Sequence, residues 1–574
     1  MGMKIDRNQI IRAVILLWGG MLPFSCAEAA DASSYGRETG TAAERNLAAR
    51  RAAKAQDAQW NLPHVTLQKE MESHAEPDAE ANLPEESVRF LIHHISIQSD
   101  SPVFEGWQNA LPKYEGKRVG VKGIKRLAAI LQQRLTEEGY VTSRVEIPDQ
   151  DLARGTLTLR IIPGRIEEIR FQDPSTKGTW RNAFPTGRGD VLNLRNLEQG
   201  LEQMKRVPGQ DAAMELLPGK TKDTSIVELK VKQGKPWSFG LSADDGGIDS
   251  TGKREYSLNM ALYNPTGLND VLSWSRGKDA IHEGKTHGTE NYDVSYSIPY
   301  QNYTFSVNTY KNNYYQTIAD VTPYVSSGTT RGTEWELARV IDRDRTSKTS
   351  LFFRLIEKER RNAIDGEELA VQHQKTDAYR IGVRRRNYAG DTISNWELWY
   401  QKGMPWFGAE RSIGDGEAGN PTTRYGLFGI NGQIETPINI GNIQANYHLS
   451  FTGQYTKDRL YSTDQLAIGG RWTVRGFDGD SSLSAENGWY LRNELDIPIG
   501  GANITPYLAF DIGHVWGPSS EWLLGKNLAG AAIGVKGNIG STIQYDVFLG
   551  VPLYKPEGFK TGKTAAGFSL FMEY

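Results

Sequence analysis

The sequence predicts a transmembrane β-barrel of about sixteen antiparallel strands, preceded by an N-terminal helix and two small α+β modules. Three observations carry this expectation. From Lys235 to Tyr574 strand after strand alternates apolar and polar residues, with turns rich in Gly, Asn and Asp and no helical period. Past the extreme N-terminus no apolar run reaches the roughly 18 residues of a membrane helix, so a chain of this kind spans lipid only as a closed set of strands. Ahead of the strands, one β-α-β-β plan occurs twice.

The N-terminus reads as a secretory signal peptide over residues 1–29. Lys4, Arg7 and Arg12 form a positive start, Ala13 to Phe24 a short apolar core, and "AEAA" (Ala27 to Ala30) a small-residue cleavage site. A lipoprotein signal ending at Cys26 fits poorly, because Pro23, Phe24 and Ser25 stand where small residues are expected. Cys26 is the single cysteine of the 574 residues, so cleavage after Ala29 or Ala30 leaves no thiol for a disulfide or a metal site.

Residues 41–60 predict a helix. Thr41 and Glu44 have the spacing of a capping box, and alanines fill the interior. Leu47 stands nearly alone as an apolar residue, surrounded by Arg45, Arg50, Arg51 and Lys54. A helix with so little to bury suits solvent, a flexible tail or a polar, water-filled interior rather than an apolar core. Residues 61–87 are acidic and proline-marked, and read as a linker.

The first module spans 88–165. "RFLIHHISI" reads as a strand, Gly120 to Tyr140 holds an amphipathic helix with Ile124, Leu127, Leu131 and Leu135 on one side, and "VTSRVEIP" and "GTLTLRIIPGR" read as a strand pair. The second, 166–235, repeats the order with "IEEIRF", "LRNLEQGLEQMKRV", "AAMELLPGK" and "TSIVELKVKQGKP". The repeat is about 70 residues long, and its sheet edges are open to strand addition.

Residues 236–574 form the barrel. In "GWYLRNELDIPI", Trp489, Leu491, Leu495 and Ile497 share one face, and Tyr490, Arg492, Glu494 and Asp496 the other. Arg380, Arg384 and Arg386 alternate with Ile381 and Val383; Leu351, Phe353 and Leu355 oppose Arg354 and Lys358. A soluble sandwich needs more apolar density than this, whereas a barrel turns its apolar residues to lipid and its charges to a wet lumen. The last strand, "AAGFSLFMEY", puts Phe568, Leu570, Met572 and Tyr574 on one face.

One segment breaks the pattern. "GGRWTVRGFDGD" (Gly469 to Asp480) lies in a connection from Thr456 to Asn487, too long for a hairpin turn. In the strand after next, Tyr507, Ala509, Asp511 and Gly513 share the lumen-facing parity. A loop folded into the lumen brings Arg475 to Asp511 and Glu494, where a guanidinium grips carboxylate oxygens through two parallel bonds. A solvent-facing arginine in an extracellular loop is the alternative.

"VRGF" in a long loop, followed by the inward Asp of "FDIG", resembles the Omp85 superfamily. With two β-α-β-β modules behind an alanine-rich helix and a linker, the whole mature chain resembles the two-partner secretion transporters of that superfamily (TpsB). It departs at Ala509, where relatives often carry an aromatic. The resemblance implies two periplasmic POTRA domains and a plug helix bearing Arg45, Arg50, Arg51 and Lys54. It implies a lumen latch of Arg475, Gly476, Phe477, Asp511, Gly513 and Glu494. It further implies export of a large partner exoprotein (TpsA type: adhesin, haemolysin or contact-dependent toxin) bound through the POTRA domains, by a monomer in outer-membrane lipid with no cofactor. An insertase of the same superfamily is the alternative, though insertases usually carry more modules and no plug helix.

The formal charge of −3 and the absence of a strongly basic domain give no reason to expect nucleic acid. No Walker, G-x-S-x-G or H-E-x-x-H motif is present, so an enzyme is not expected. His93 and His94, adjacent in a strand, point apart and suit no metal; "GDGEAGN" (Gly414 to Asn420) lacks calcium-loop spacing and reads as a surface turn.

Overall fold

The computed structural model describes residues 39–67, 83–281, 283–319, 322–411, 415, 419–499 and 503–574. The expected signal peptide, the middle of the linker and most of the turn from Gly414 to Asn420 lie outside them.

Helix α1 runs Thr39–Trp60. It starts two residues before Thr41, which therefore lies within the helix and is not its cap. Glu44 reaches instead across the lumen to Arg360, with an Oε2–Nη2 distance of 2.6 Å. A buried charge pair outweighs the local cap that the spacing suggests.

The first module holds β1 Phe90–Ile92, β2 His94–Ser99, β3 Lys117–Val119, helix α2 Val121–Glu137, β4 Arg144–Glu146 and β5 Thr156–Ile162. The expected single strand over "RFLIHHISI" is split at His93, whose N–H donates to Gly155 O (2.7 Å) while β1 turns away to pair with β3. Strand β2 lies parallel to β5, and β4 antiparallel to it. Ile124, Leu127, Leu131 and Leu135 of α2 bury against Leu157, Leu159 and Ile161, the packing that the helical period encodes. Glu86 caps this helix from the linker, accepting from Lys122 N (2.9 Å) and Gly123 N (3.0 Å).

The second module holds β6 Arg165–Phe171, helix α3 Leu194–Lys205, β7 Gln210–Pro218 and β8 Thr224–Gln233, in sheet order β6-β8-β7. Asn193 caps α3, its Oδ1 accepting from Arg195 N at 2.8 Å.

The barrel strands begin with β9 Trp237–Asp244, β10 Glu255–Tyr263, β11 Val271–Asp279, β12 Gly288–Tyr300, β13 Tyr303–Ile318, β14 Tyr324–Arg343 and β15 Ser347–Ile364. A two-residue strand, β16 Glu367–Glu368, folds back on β15 outside the ring. The wall continues with β17 Gln374–Ala389, β18 Thr392–Met404, β19 Gly426–Ile440 and β20 Ile443–Thr456. It resumes after the long loop with β23 Asn487–Asp496, β24 Ile504–Trp516, β25 Asn527–Ile539, β26 Ile543–Tyr554 and β27 Ala565–Glu573. The loop contains its own small hairpin, β21 Leu466–Ile468 with β22 Leu483–Ala485. Strand β27 pairs with β9 from Ser569↔Asp244 to Glu573↔Gly240 and closes a ring of sixteen strands. Closure leaves no edge in the lipid layer.

Outward positions carry Leu241, Met260, Leu262, Leu351, Phe353, Leu508, Ile533, Leu549 and Leu570, all exposed. Short turns lie at the end next to the modules, and long loops at the opposite end. The second module is fitted to the first of these ends. Asn182 donates to Pro299 O (3.0 Å), Gln203 to Gln301 O (3.1 Å) and Arg206 to Ser297 Oγ (2.7 Å). Among the described residues no helix is long and apolar enough to cross a membrane, and the strands make the crossing.

Candidate functional site: the lumen latch and the helix seat

Arg475 lies in the loop between β22 and β21, folded into the barrel, and is buried. Its Nε donates to Asp511 Oδ2 at 2.8 Å and its Nη2 to Asp511 Oδ1 at 2.9 Å, a two-pronged pair. Its backbone N–H donates to the same Oδ2 (2.9 Å), and Nη2 also reaches Asn493 O (3.1 Å). Nη1 pairs with Glu494, whose other oxygen accepts from Lys536 Nζ at 2.8 Å. Asp511 is fully buried, so each of its bonds replaces hydration it has lost.

The flanking residues explain why the loop lies here. Gly476 has φ +101°, and a Cβ there would stand 2.5 Å from Val551 O. The chain can pass this close to the wall only as glycine. Phe477 is buried edge-on against Phe559, ring centres 5.8 Å apart, in a cluster with Leu466, Ile468, Val474 and Leu528. Gly513 lies under that cluster, where a Cβ would meet Ile468 Cγ2 at 2.9 Å. Arg475, Gly476, Phe477, Asp511, Gly513 and Glu494 thus meet in one structure.

Helix α1 lies inside the barrel and touches opposite walls. Arg50 pairs with Asp244 of β9 and Glu255 of β10. The Arg51 guanidinium stacks on Tyr310 of β13, 3.4 Å from the ring centre. Gln56 donates to Asn431 of β19 (3.2 Å) and Thr452 of β20 (3.1 Å). Lys54 borders a cavity of about 830 Å³ that runs beside the helix toward the modules. Arg45 is half-buried. The helix also meets the latch loop: Arg50 lies 5.6 Å from the centre of the Trp472 ring.

Strand register makes the lumen electrically two-sided. Inward positions of β9 to β12 carry Asp244, Glu255, Asp279 and Asp293, and β14 adds Glu334 and Glu336. Inward positions of β15 and β17 carry Lys348, Arg354, Lys358, Arg360, Arg380, Arg384 and Arg386. The basic side of α1 faces the first wall and Glu44 the second, so its orientation follows the field across the barrel. The sequence indicates which residues point inward; it does not indicate that Asp244 and Glu255 receive Arg50.

A third cluster lies outside what the sequence indicates. Glu198 and Glu202 of α3 are buried at the barrel mouth, where Arg343 of β14 contacts Glu198 (3.4 Å) and Glu202 (2.8 Å), and Lys348 of β15 contacts Glu202 (2.7 Å). Two carboxylates four residues apart on a helix give the only sequence signal for it.

A lumen-filled, sixteen-stranded barrel with a module-bearing periplasmic mouth defines an outer-membrane transporter of the two-partner secretion class. The family model "Haemolysin secretion/activation protein ShlB/FhaC/HecB" matches residues 223–537, and the chain belongs to that family, within the Omp85 superfamily. A ShlB-type POTRA model matches 90–164 and a second POTRA model 165–218. The chain is 38% identical over 468 residues to the outer membrane transporter CdiB-2 of Burkholderia pseudomallei, covering 81% of this chain and 80% of that one. It is 28% identical over 450 residues to the hemolysin transporter protein ShlB of Serratia marcescens, covering 77% and 78%. The solved structure of CdiB from Acinetobacter baumannii superposes with a TM-score of 0.82 at 27% identity, over 96% of this chain and all of that one. The barrel therefore sits in the outer membrane with its POTRA domains in the periplasm, and exports a partner protein.

Proposed function

We propose that this transporter exports one large partner exoprotein of TpsA type, an adhesin, haemolysin or contact-dependent toxin, working as a monomer in outer-membrane lipid without cofactor, nucleic acid or catalytic chemistry of its own. The observation that carries the reading is helix α1 seated across the lumen between walls of opposite charge. A helix held this way stops the pore, and hydrated charges replace its contacts when it leaves. The partner's N-terminal domain docks on the POTRA pair, α1 departs, and the partner passes as an extended chain, drawn outward by its own folding. The Arg475 latch holds the long loop against β23 and β24 while the lumen empties. The similarity to named transporters and the presence of the plug helix favour export over the insertase reading.

Deleting both POTRA domains tests the docking step. The truncated barrel is expected to lose capture of the partner's N-terminal domain in a pull-down; undiminished capture refutes a docking role.

A further inference from the structure

The segment that follows α1, residues 62–67, crosses the barrel mouth between α3 and the strand ends. Its backbone is held from both sides. On the module side, Val65 N–H donates to Glu202 Oε1 (3.1 Å) and Leu67 N–H to Glu198 Oε1 (2.9 Å). On the barrel side, Arg343 donates to Val65 O (2.9 Å), and Arg386 to Leu62 O and Trp60 O (3.0 Å each).

The geometry behind this is general. Residues four apart on a helix are separated by about 6 Å along its axis. N–H groups two residues apart on an extended chain are separated by about 6.8 Å. Glu198 and Glu202 therefore present acceptors at nearly the spacing at which an extended backbone presents donors. The charge of Glu198 is already met by Arg195 and Arg343 and that of Glu202 by Arg343 and Lys348, so the remaining lone pairs are available to neutral N–H groups. Side chains enter at three points. His64 Nδ1 lies 3.3 Å from Glu202 Oε1, and its ring stacks on Tyr388, centres 3.5 Å apart. Val65 is buried in the apolar core of the second module, and Leu67 packs on the edge of that core.

We propose that this cradle is a binding site for an extended polypeptide carrying aliphatic residues two positions apart. The strap 62–67 occupies it at rest, and the exported chain occupies it at the barrel entrance. The proposal rests on the exporter reading above. The two occupants exclude each other, so entry of the exported chain frees the strap and, with it, the Arg386 bonds that hold the end of α1.

The test uses the full-length protein with Val65→Pro and Leu67→Pro, which removes both strap donors, and three fluorescent octapeptides read by anisotropy. The first has the sequence of residues 60–67. The second keeps the His, Val and Leu and replaces the rest with Ser and Gln. The third is the first with those two amides N-methylated. The first two are expected to bind within about threefold of each other, and the third at least about tenfold more weakly. Adding Glu198→Gln and Glu202→Gln is expected to weaken the first two equally. Failure of the second peptide to bind overturns the proposal, because the seat is then private to the strap. Equal binding of the N-methylated peptide, or no binding by any of the three, overturns it as well. Should the four-fold variant fail to assemble, the three-peptide comparison decides alone. Binding is read without export, so the cradle can fail while the exporter reading stands. Conversely, a cradle that binds peptide in a strain that secretes no partner refutes the exporter reading alone.

Discussion

Arg475 grips Asp511 through two parallel N–H···O bonds of 2.8 and 2.9 Å and adds its own backbone N–H at 2.9 Å. One carboxylate thus fixes both the side chain and the main chain of the loop. Arg475→Ala leaves the fully buried Asp511 with only the more distant Arg492, 3.8 Å away, at a cost of about 3–5 kcal/mol if the surroundings do not relax. The expected outcome is at least about a tenfold fall in secreted partner with an unchanged amount of barrel in the membrane, read by immunoblot of medium and membrane fractions. Undiminished secretion removes the latch from the mechanism.

Gly476→Ala tests the same loop by shape and not by charge. The left-handed backbone and the Val551 carbonyl 2.5 Å from the added Cβ both oppose it. The expected penalty is about 1–3 kcal/mol, read as faster proteolysis of the loop in intact cells. Wild-type protease resistance contradicts the close packing described here.

The contact between Arg475 and Asp511 is legible in the sequence because it needs only parity. Asp511 shares a face with Tyr507 and Gly513, and a loop arginine is the obvious inward partner. The helix seat was not legible. Parity marks Asp244 and Glu255 as inward, but which inward residues face α1 depends on how β27 meets β9 and how the ring closes. Glu44 departs from its expected place for a related reason: its spacing from Thr41 fits a cap, and only the folded barrel offers Arg360. Glu202 reads as an ordinary polar position on an amphipathic helix. Its burial comes from docking against Arg343 and Lys348, which are more than a hundred residues away. The split of the first strand at His93 likewise depends on a distant partner, Gly155.

Glu202 gives the mouth a defined pH response. Burial alone pushes its carboxyl up, but Lys348, the hydrogen bond with His64 and Arg343 together outweigh this and hold it well below the usual carboxylate range. A depressed folded value means that the contribution is complete above the unfolded value, about 4.3, and is lost as pH falls through the folded one. The groups facing it are His64 of the strap, Arg343 and Lys348 of the barrel, and Glu198 and Arg195 of α3. The difference in open fraction between wild type and Glu202→Gln, measured in planar bilayers, is expected to persist above about pH 4.3 and to shrink below it. A difference that shrinks between pH 7 and pH 5 assigns the effect to another group.

Asp244→Asn combined with Glu255→Gln leaves Arg50 buried without a counter-charge. The closed state is expected to lose about 3 kcal/mol or more, and the open fraction to rise by at least about tenfold. Because the pair is shielded from solvent, raising salt in the wild type has a much smaller effect than the double substitution. Equal effects place Arg50 in bulk water and not in a seat.

The central claim is that α1 is a removable stopper. Single-channel conductance of the full-length protein against a variant lacking residues 39–60, in the same planar bilayer, tests it most directly. A several-fold larger and steadier conductance is expected for the deletion. Identical conductance of the two proteins contradicts it, since a helix seated across the lumen cannot be removed without widening the path for ions.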